Sequence, residues 1–151
     1  MQGVSHKTTY HLSCTLWREA EYRAEYATLS SERLDKAEKL RCLEGLRELE
    51  EDWDGYGALP IDEASYRNMK VLLEAAPAWR LYRWDLSPDV NGTLMLSTRD
   101  GSIGAINIGA TTMTYIARRK GEEQSMAWRG PYSKERALRS LEEIGKRLGY
   151  E

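Results

Sequence analysis

Hydrophobic positions recur along this chain with different periods, and each period predicts an element. In residues 9–16, Tyr10, Leu12, Cys14 and Leu16 alternate with Thr9, His11, Ser13 and Thr15, the period of a half-buried strand. From Trp17 the chain turns to Ala, Glu, Arg and Tyr, and Trp17, Ala20, Ala24 and Ala27 share a stripe that predicts a helix to about Leu29. Ser30 and Ser31 interrupt it, and either offers an N-cap for a second helix, with Glu32 near the positive end of the dipole. That helix is expected from Glu32 to Trp53. Leu34, Ala37, Leu40, Leu43, Leu46 and Leu49 recur every three residues, so its apolar stripe drifts round the axis, and Gly45 signals a close approach by another backbone. Gly55 is the expected left-handed stop.

Asp62 then caps a third helix from Glu63, with Ile61 and Tyr66 placed as a hydrophobic staple. Its stripe is Tyr66, Met69, Leu72, Leu73 and Ala76, and Pro77 ends it. Beyond Pro77 the period falls to two, predicting strands at 80–86, 93–98, 103–109, 112–118 and 124–129. Asp100-Gly101 reads as a hairpin turn that tolerates positive φ, and Asn91-Gly92 and Lys120-Gly121 mark two more. A closing helix follows Ser133, with Ala137, Leu138, Leu141, Ile144 and Leu148 on one face and Gly149 as its stop. Together these predict one α+β domain over residues 1–151, with 1–8 a candidate disordered end. Its two layers are a mostly antiparallel sheet of five or six strands and three or four helices.

Composition narrows the classes. With 151 residues, 41% hydrophobic and 30% charged, and no apolar run of membrane-spanning length, the chain reads as globular and without a membrane role. The N-terminus lacks the pattern of an export signal, which points to the cytoplasm. Cys14 and Cys42 offer no disulfide framework, so both are expected to stay thiols. The net charge of −2 hides a lopsided distribution. Between Glu44 and Glu63 eight acids stand against Arg47 alone, whereas Arg118 to Glu151 holds nine bases and six acids.

Candidate chemistry is thin. His6, His11 and Cys14 do not converge as metal ligands, because His11 and Cys14 point to opposite faces of a strand. Asp52 and Asp54 could serve a Mg²⁺-dependent hydrolase or nuclease, yet no E-x-K arrangement follows them. Gly101, Gly104 and Gly109 lack the lysine and helix of a phosphate-binding loop, and hairpin glycines are the plainer reading. Arg118, Arg119, Lys120 and Arg129, with Trp128 and Tyr132, form a small basic and aromatic candidate for nucleic acid. An overall acidic chain with pI near 5.8 disfavours that use.

The run Trp53-Asp54-Gly55-Tyr56-Gly57-Ala58, followed by Pro60, sits between a leucine-rich acidic helix and a sheet with an internal Asp-Gly turn. In this it resembles a group of small, uncharacterised bacterial proteins, over residues 40–145. The resemblance implies the fold and a setting among accessory and mobile-element genes, and it carries over no catalytic residue. Residues and resemblance together suggest a non-enzymatic protein without a cofactor that binds and inhibits a protein partner bearing a basic surface. An antitoxin or a phage anti-defence (anti-CRISPR-like) inhibitor is of this kind. Trp53, Asp54 and Tyr56 are the expected contacts, with Glu50, Glu51 and Asp52 supplying steering charge. The competing reading is that Trp53 and Tyr56 pin the corner into the core. Homo-oligomerisation is left open.

Overall fold

The computed structural model of the chain describes residues 30–151, so the strand expected over 9–16 and the helix expected over 17–29 lie outside it. Helix α1, Ser31–Leu46, is capped by Ser30, whose hydroxyl oxygen accepts the Arg33 N–H at 3.3 Å. It ends at Leu46, well short of Trp53. The amides of Glu48 and Leu49 turn back to the carbonyls of Gly45 and Leu46, and Leu49 drops into the core. Asp52 then takes φ 63°, a left-handed conformation that no right-handed helix can include. Local propensity favoured continuing; the tertiary pull on Leu49 and the conformation of Asp52 decided otherwise.

On α1 three ionisable residues, Asp35, Glu38 and Lys39, are buried. Lys39 pairs with Asp35, and Arg99 bridges from Asp35 Oδ1 at 3.0 Å to Asp85 Oδ1 at 2.7 Å, tying the helix to the sheet. Cys42 is disulfide-bonded, which corrects the expectation of a free thiol; Cys14 lies outside the described residues.

Helix α2, Glu63–Ala75, follows the expected plan: Asp62 accepts the Ser65 N–H at 3.1 Å, and Tyr66, Met69, Leu72 and Leu73 are buried. Before Pro77, Ala76 swings to ψ 139°. The strand expected from residue 80 is replaced at first by a single turn, α3 (Ala78–Leu81), in which the Arg80 and Leu81 amides bond to the Pro77 carbonyl. This turn lets both Leu81 and Trp84 reach full burial.

The sheet is an antiparallel meander in the order β1-β2-β3-β4-β5, formed by β1 Trp84–Pro88, β2 Leu94–Thr98, β3 Ile103–Ile108, β4 Thr112–Arg118 and β5 Met126–Pro131. One row of partners, Leu86, Leu96, Ile106, Tyr115 and Trp128, crosses it on the side facing the helices. Tyr115 and Trp128 stack at 5.5 Å between centroids. At the Asp100-Gly101 turn Gly101 does not adopt positive φ; Asp100 Oδ1 instead accepts the Ser102 N–H at 2.9 Å, so the aspartate side chain shapes the hairpin. Helix α4, Lys134–Leu148, runs from the Ser133 cap to Gly149 at φ 84° and buries Ala137, Leu141, Ile144 and Leu148. The result is the expected α+β architecture: five antiparallel strands and, among the described residues, four helices packed together. None of these helices is long and apolar enough to cross a membrane.

Tyr150, just past α4, donates its hydroxyl to Asp100 Oδ2 at 2.6 Å. Burial first, and then the hydrogen bond to and charge of Asp100, push its pKa up to about 12. A folded-state value above the unfolded one, about 10, favours the protonated folded chain. This stabilisation is complete below pH 10 and is lost as pH rises towards 12. Urea midpoints measured across that window should fall less steeply for Tyr150→Phe than for the wild type; equal slopes would contradict the assignment.

Candidate interaction site

Two buried anchors, Leu49 and Ala58, hold the ends of the corner between α1 and α2, and the residues between them hydrogen-bond to one another. The Asp52 amide donates to the Ala58 carbonyl at 2.7 Å, and the Gly55 amide to the Asp52 carbonyl at 3.0 Å. Asp52 Oδ1 accepts from Gly57 at 2.6 Å. Asp54 Oδ1 accepts from Tyr56 at 2.8 Å and from Ala58 at 3.0 Å. The half-buried Trp53 lies against the core and donates its indole N–H to the Leu59 carbonyl at 2.8 Å.

The W-D-G-Y-G-A run therefore has a local explanation. Its two aspartates supply acceptors for amides that no helix or strand satisfies, each such bond contributing a net of about 0.5–1.5 kcal/mol. Gly55 and Gly57 provide left-handed backbone at φ 81° and 87°. Trp53 fixes the turn from beneath. Tyr56 is different: the residue is 94% exposed. Of the two aromatics expected either to bind or to pin, Trp53 pins and Tyr56 projects.

The corner docks on the β1–β2 hairpin, with Leu59 N–H bonded to the Val90 carbonyl at 2.8 Å and Asp62 N–H to the Gly92 carbonyl at 2.9 Å. Leu59 and Val90 are thus neighbours, and each is about half exposed. Sequence reading missed both, since a lone apolar residue beside a turn carries no periodic signal.

The acidic stretch is less uniform than its composition. Arg47 pairs with Glu63 at 2.8 Å and lies over the Tyr66 ring at 4.4 Å. Glu44 accepts from the Tyr66 hydroxyl and faces Lys70 at 3.5 Å; the hydrogen bond from Tyr66, helped by the charges of Lys70 and Arg47, holds its carboxyl below the usual range. Asp52 and Asp54 turn oxygens towards the loop's own amides. Exposed Glu48, Glu50 and Glu51 form the outward acidic rim. Among the described residues no group of three or more His, Cys, Asp or Glu is arranged to hold a metal ion.

The basic candidates separate. Arg118 pairs with Ile103, Arg129 with Thr114, and the two lie about 13 Å apart along the strands. Arg119 and Lys120 occupy the β4–β5 turn. Their expected aromatic companions are engaged on the helix side: Trp128 lies between Tyr115 and the Arg136 guanidinium, and Tyr132 donates to the Asn68 carbonyl at 3.1 Å. No protein-family model, curated protein or solved structure matches the chain.

Proposed function

We propose that this chain is a non-enzymatic accessory protein that binds and inhibits a macromolecular partner, pressing the corner at residues 50–60 into an apolar pocket within a basic surface. The observation that carries this reading is a corner closed by its own hydrogen bonds yet leaving Tyr56 94% exposed. A preorganised aromatic loses little conformational freedom on docking, and tyrosine concentrates binding energy at interfaces. Glu48, Glu50 and Glu51 supply the field that steers a basic partner, while Leu59 and Val90 extend the apolar contact. An inhibitor of the antitoxin or phage anti-defence kind is the class of protein this contact would suit. The cytoplasmic placement belongs to the same proposal; the disulfide at Cys42 weighs against it, because such bonds persist mainly in oxidising compartments.

Tyr56→Ala should leave the melting temperature within about 1 °C of wild type, since it removes only exposed surface. Affinity for a partner isolated with the tagged wild-type chain should fall about 30-fold or more. Charge reversal at Glu50 and Glu51 should slow association and flatten its salt dependence. If both variants bind the purified partner as wild type does, the corner is not the contact surface.

A further inference from the structure

On the helix side of the molecule, away from the corner's docking hairpin, α3 and the end of α4 build a seat for a carboxylate. Arg80 Nε and Nη2 donate to Glu151 Oε2 and Oε1 at 2.8 and 2.9 Å, a two-pronged fork in which the side chains are only 18% and 12% exposed. The Trp79 ring lies 4.7 Å from the Arg80 guanidinium and backs it. The floor is Gly145, where a Cβ would come within 2.6 Å of Glu151 Oε2, so any larger residue would push the carboxylate out. Tyr150 fills the place beside it: its N–H donates to the Gly145 carbonyl at 2.7 Å, and the Arg83 guanidinium covers its ring at 4.9 Å. A cleft of about 210 Å³ between Tyr82, Arg83, Arg99, Asp100 and Tyr150 continues from this place.

We propose that this seat is a binding site for an aromatic-acidic peptide segment of a partner, and that Tyr150 and Glu151 are its built-in occupant, holding it closed until such a segment displaces them. Three features favour recognition over a plain strap. The occupant leaves α4 at Gly149, whose left-handed conformation ends the helix and turns Tyr150 and Glu151 back over Gly145. Trp79 and Tyr82 stand exposed around the seat as an apolar rim. Arg83 meets no carboxylate within ion-pair distance among the described residues, and withdrawal of Glu151 leaves Arg80 facing only Glu142, at 3.9 Å, so the seat becomes more positive for an incoming acid. The site is independent of the 50–60 corner, and either assignment can fail alone.

The probe is the blocked tripeptide acetyl-Gly-Tyr-Glu-amide, titrated calorimetrically into the full chain and into the double variant Tyr150→Ala/Glu151→Ala, which clears both side chains from the seat. A tethered occupant competes at about millimolar effective concentration, so the double variant should bind the probe at least tenfold more tightly than wild type. The Tyr-Gln analogue should bind at least tenfold more weakly than the Tyr-Glu probe, and adding Arg80→Gln to the double variant should abolish binding. Tyr150→Ala/Glu151→Gln, which keeps the shape of the second side chain and removes its charge, replaces the double alanine variant should that chain not fold. Equal affinity of wild type and variant, no binding by the variant at millimolar probe, or indifference to Arg80 would each make Tyr150 and Glu151 a structural strap and overturn the proposal.

Discussion

Trp84→Ala is expected to cost about 3–5 kcal/mol, the range for emptying a large aromatic site in a packed core. Trp84 opens β1 opposite Thr98, has no exposed surface, and leads the fully buried side chains by size. Leu81, three residues earlier, is equally buried, so the turn of α3 and the start of β1 press into the core together. A domain of this size holds about 5–15 kcal/mol in all, and the variant should unfold at a fraction of the wild-type urea concentration. Trp79→Ala, five residues upstream and half exposed, should cost less than about 1 kcal/mol by the same far-UV titration. A Trp84→Ala loss as small as that of Trp79→Ala would mean that the indole does not fill the core.

The sequence from Ala78 to Trp84 shows why such a distinction was hard to read. A-W-R-L-Y-R-W alternates well enough to suggest a strand, and the helical turn that divides it arises from Pro77, whose carbonyl receives the next amides once the preceding helix has been stopped. Caps, by contrast, were legible. Ser30, Asp62, Ser133 and Gly149 act on amides or carbonyls three or four residues away, and so leave a local signature. The five strands were visible from their period: the three middle ones fall within one residue of the expected bounds, while the first and last are displaced by two to four. The overrun of α1 to Trp53 had a different origin: Glu48, Leu49, Glu50 and Glu51 all suit a helix, and only the burial of Leu49 and the Ala58 carbonyl awaiting the Asp52 amide end it.

The candidate site was legible as a place and not as a mechanism. Glycines and aromatics named the corner, but the direction of Asp52 and Asp54 depends on where the amides of Tyr56, Gly57 and Ala58 point after the chain has turned. Counting acids similarly could not reveal that Arg47 and Lys70 face Glu63 and Glu44. The carboxylate seat left no trace at all, since Arg80 and Glu151 are 71 residues apart and meet only through the packing of α4 on α3. Local chemistry can be read along the chain. Pairings made by the fold cannot.

Gly92→Ala tests how firmly the corner depends on the sheet, and it should cost about 2–5 kcal/mol. Two effects combine. Gly92 sits at φ 89°, where a side chain is strained by about 1–2 kcal/mol. A Cβ there would also stand 3.0 Å from the Pro60 carbonyl oxygen, a backbone atom fixed between the Leu59 and Asp62 hydrogen bonds to the hairpin. Relief requires the corner to lift from the β1–β2 turn, an overpacking penalty of about 1–3 kcal/mol in ordinary cores. Gly57→Ala provides the contrast: its φ is 87° but nothing lies within 4 Å of the added Cβ, so only the backbone strain is expected. Hydrogen exchange separates the two, because Gly92→Ala should strip protection from the Leu59 and Asp62 amides while Gly57→Ala leaves them protected. If Tyr56 makes the partner contact, lifting the corner also removes its fixed presentation, and Gly92→Ala should weaken binding although it alters no exposed contact residue. Equal stability losses for the two variants, with both amides still protected, would show that the corner keeps its place without the hairpin.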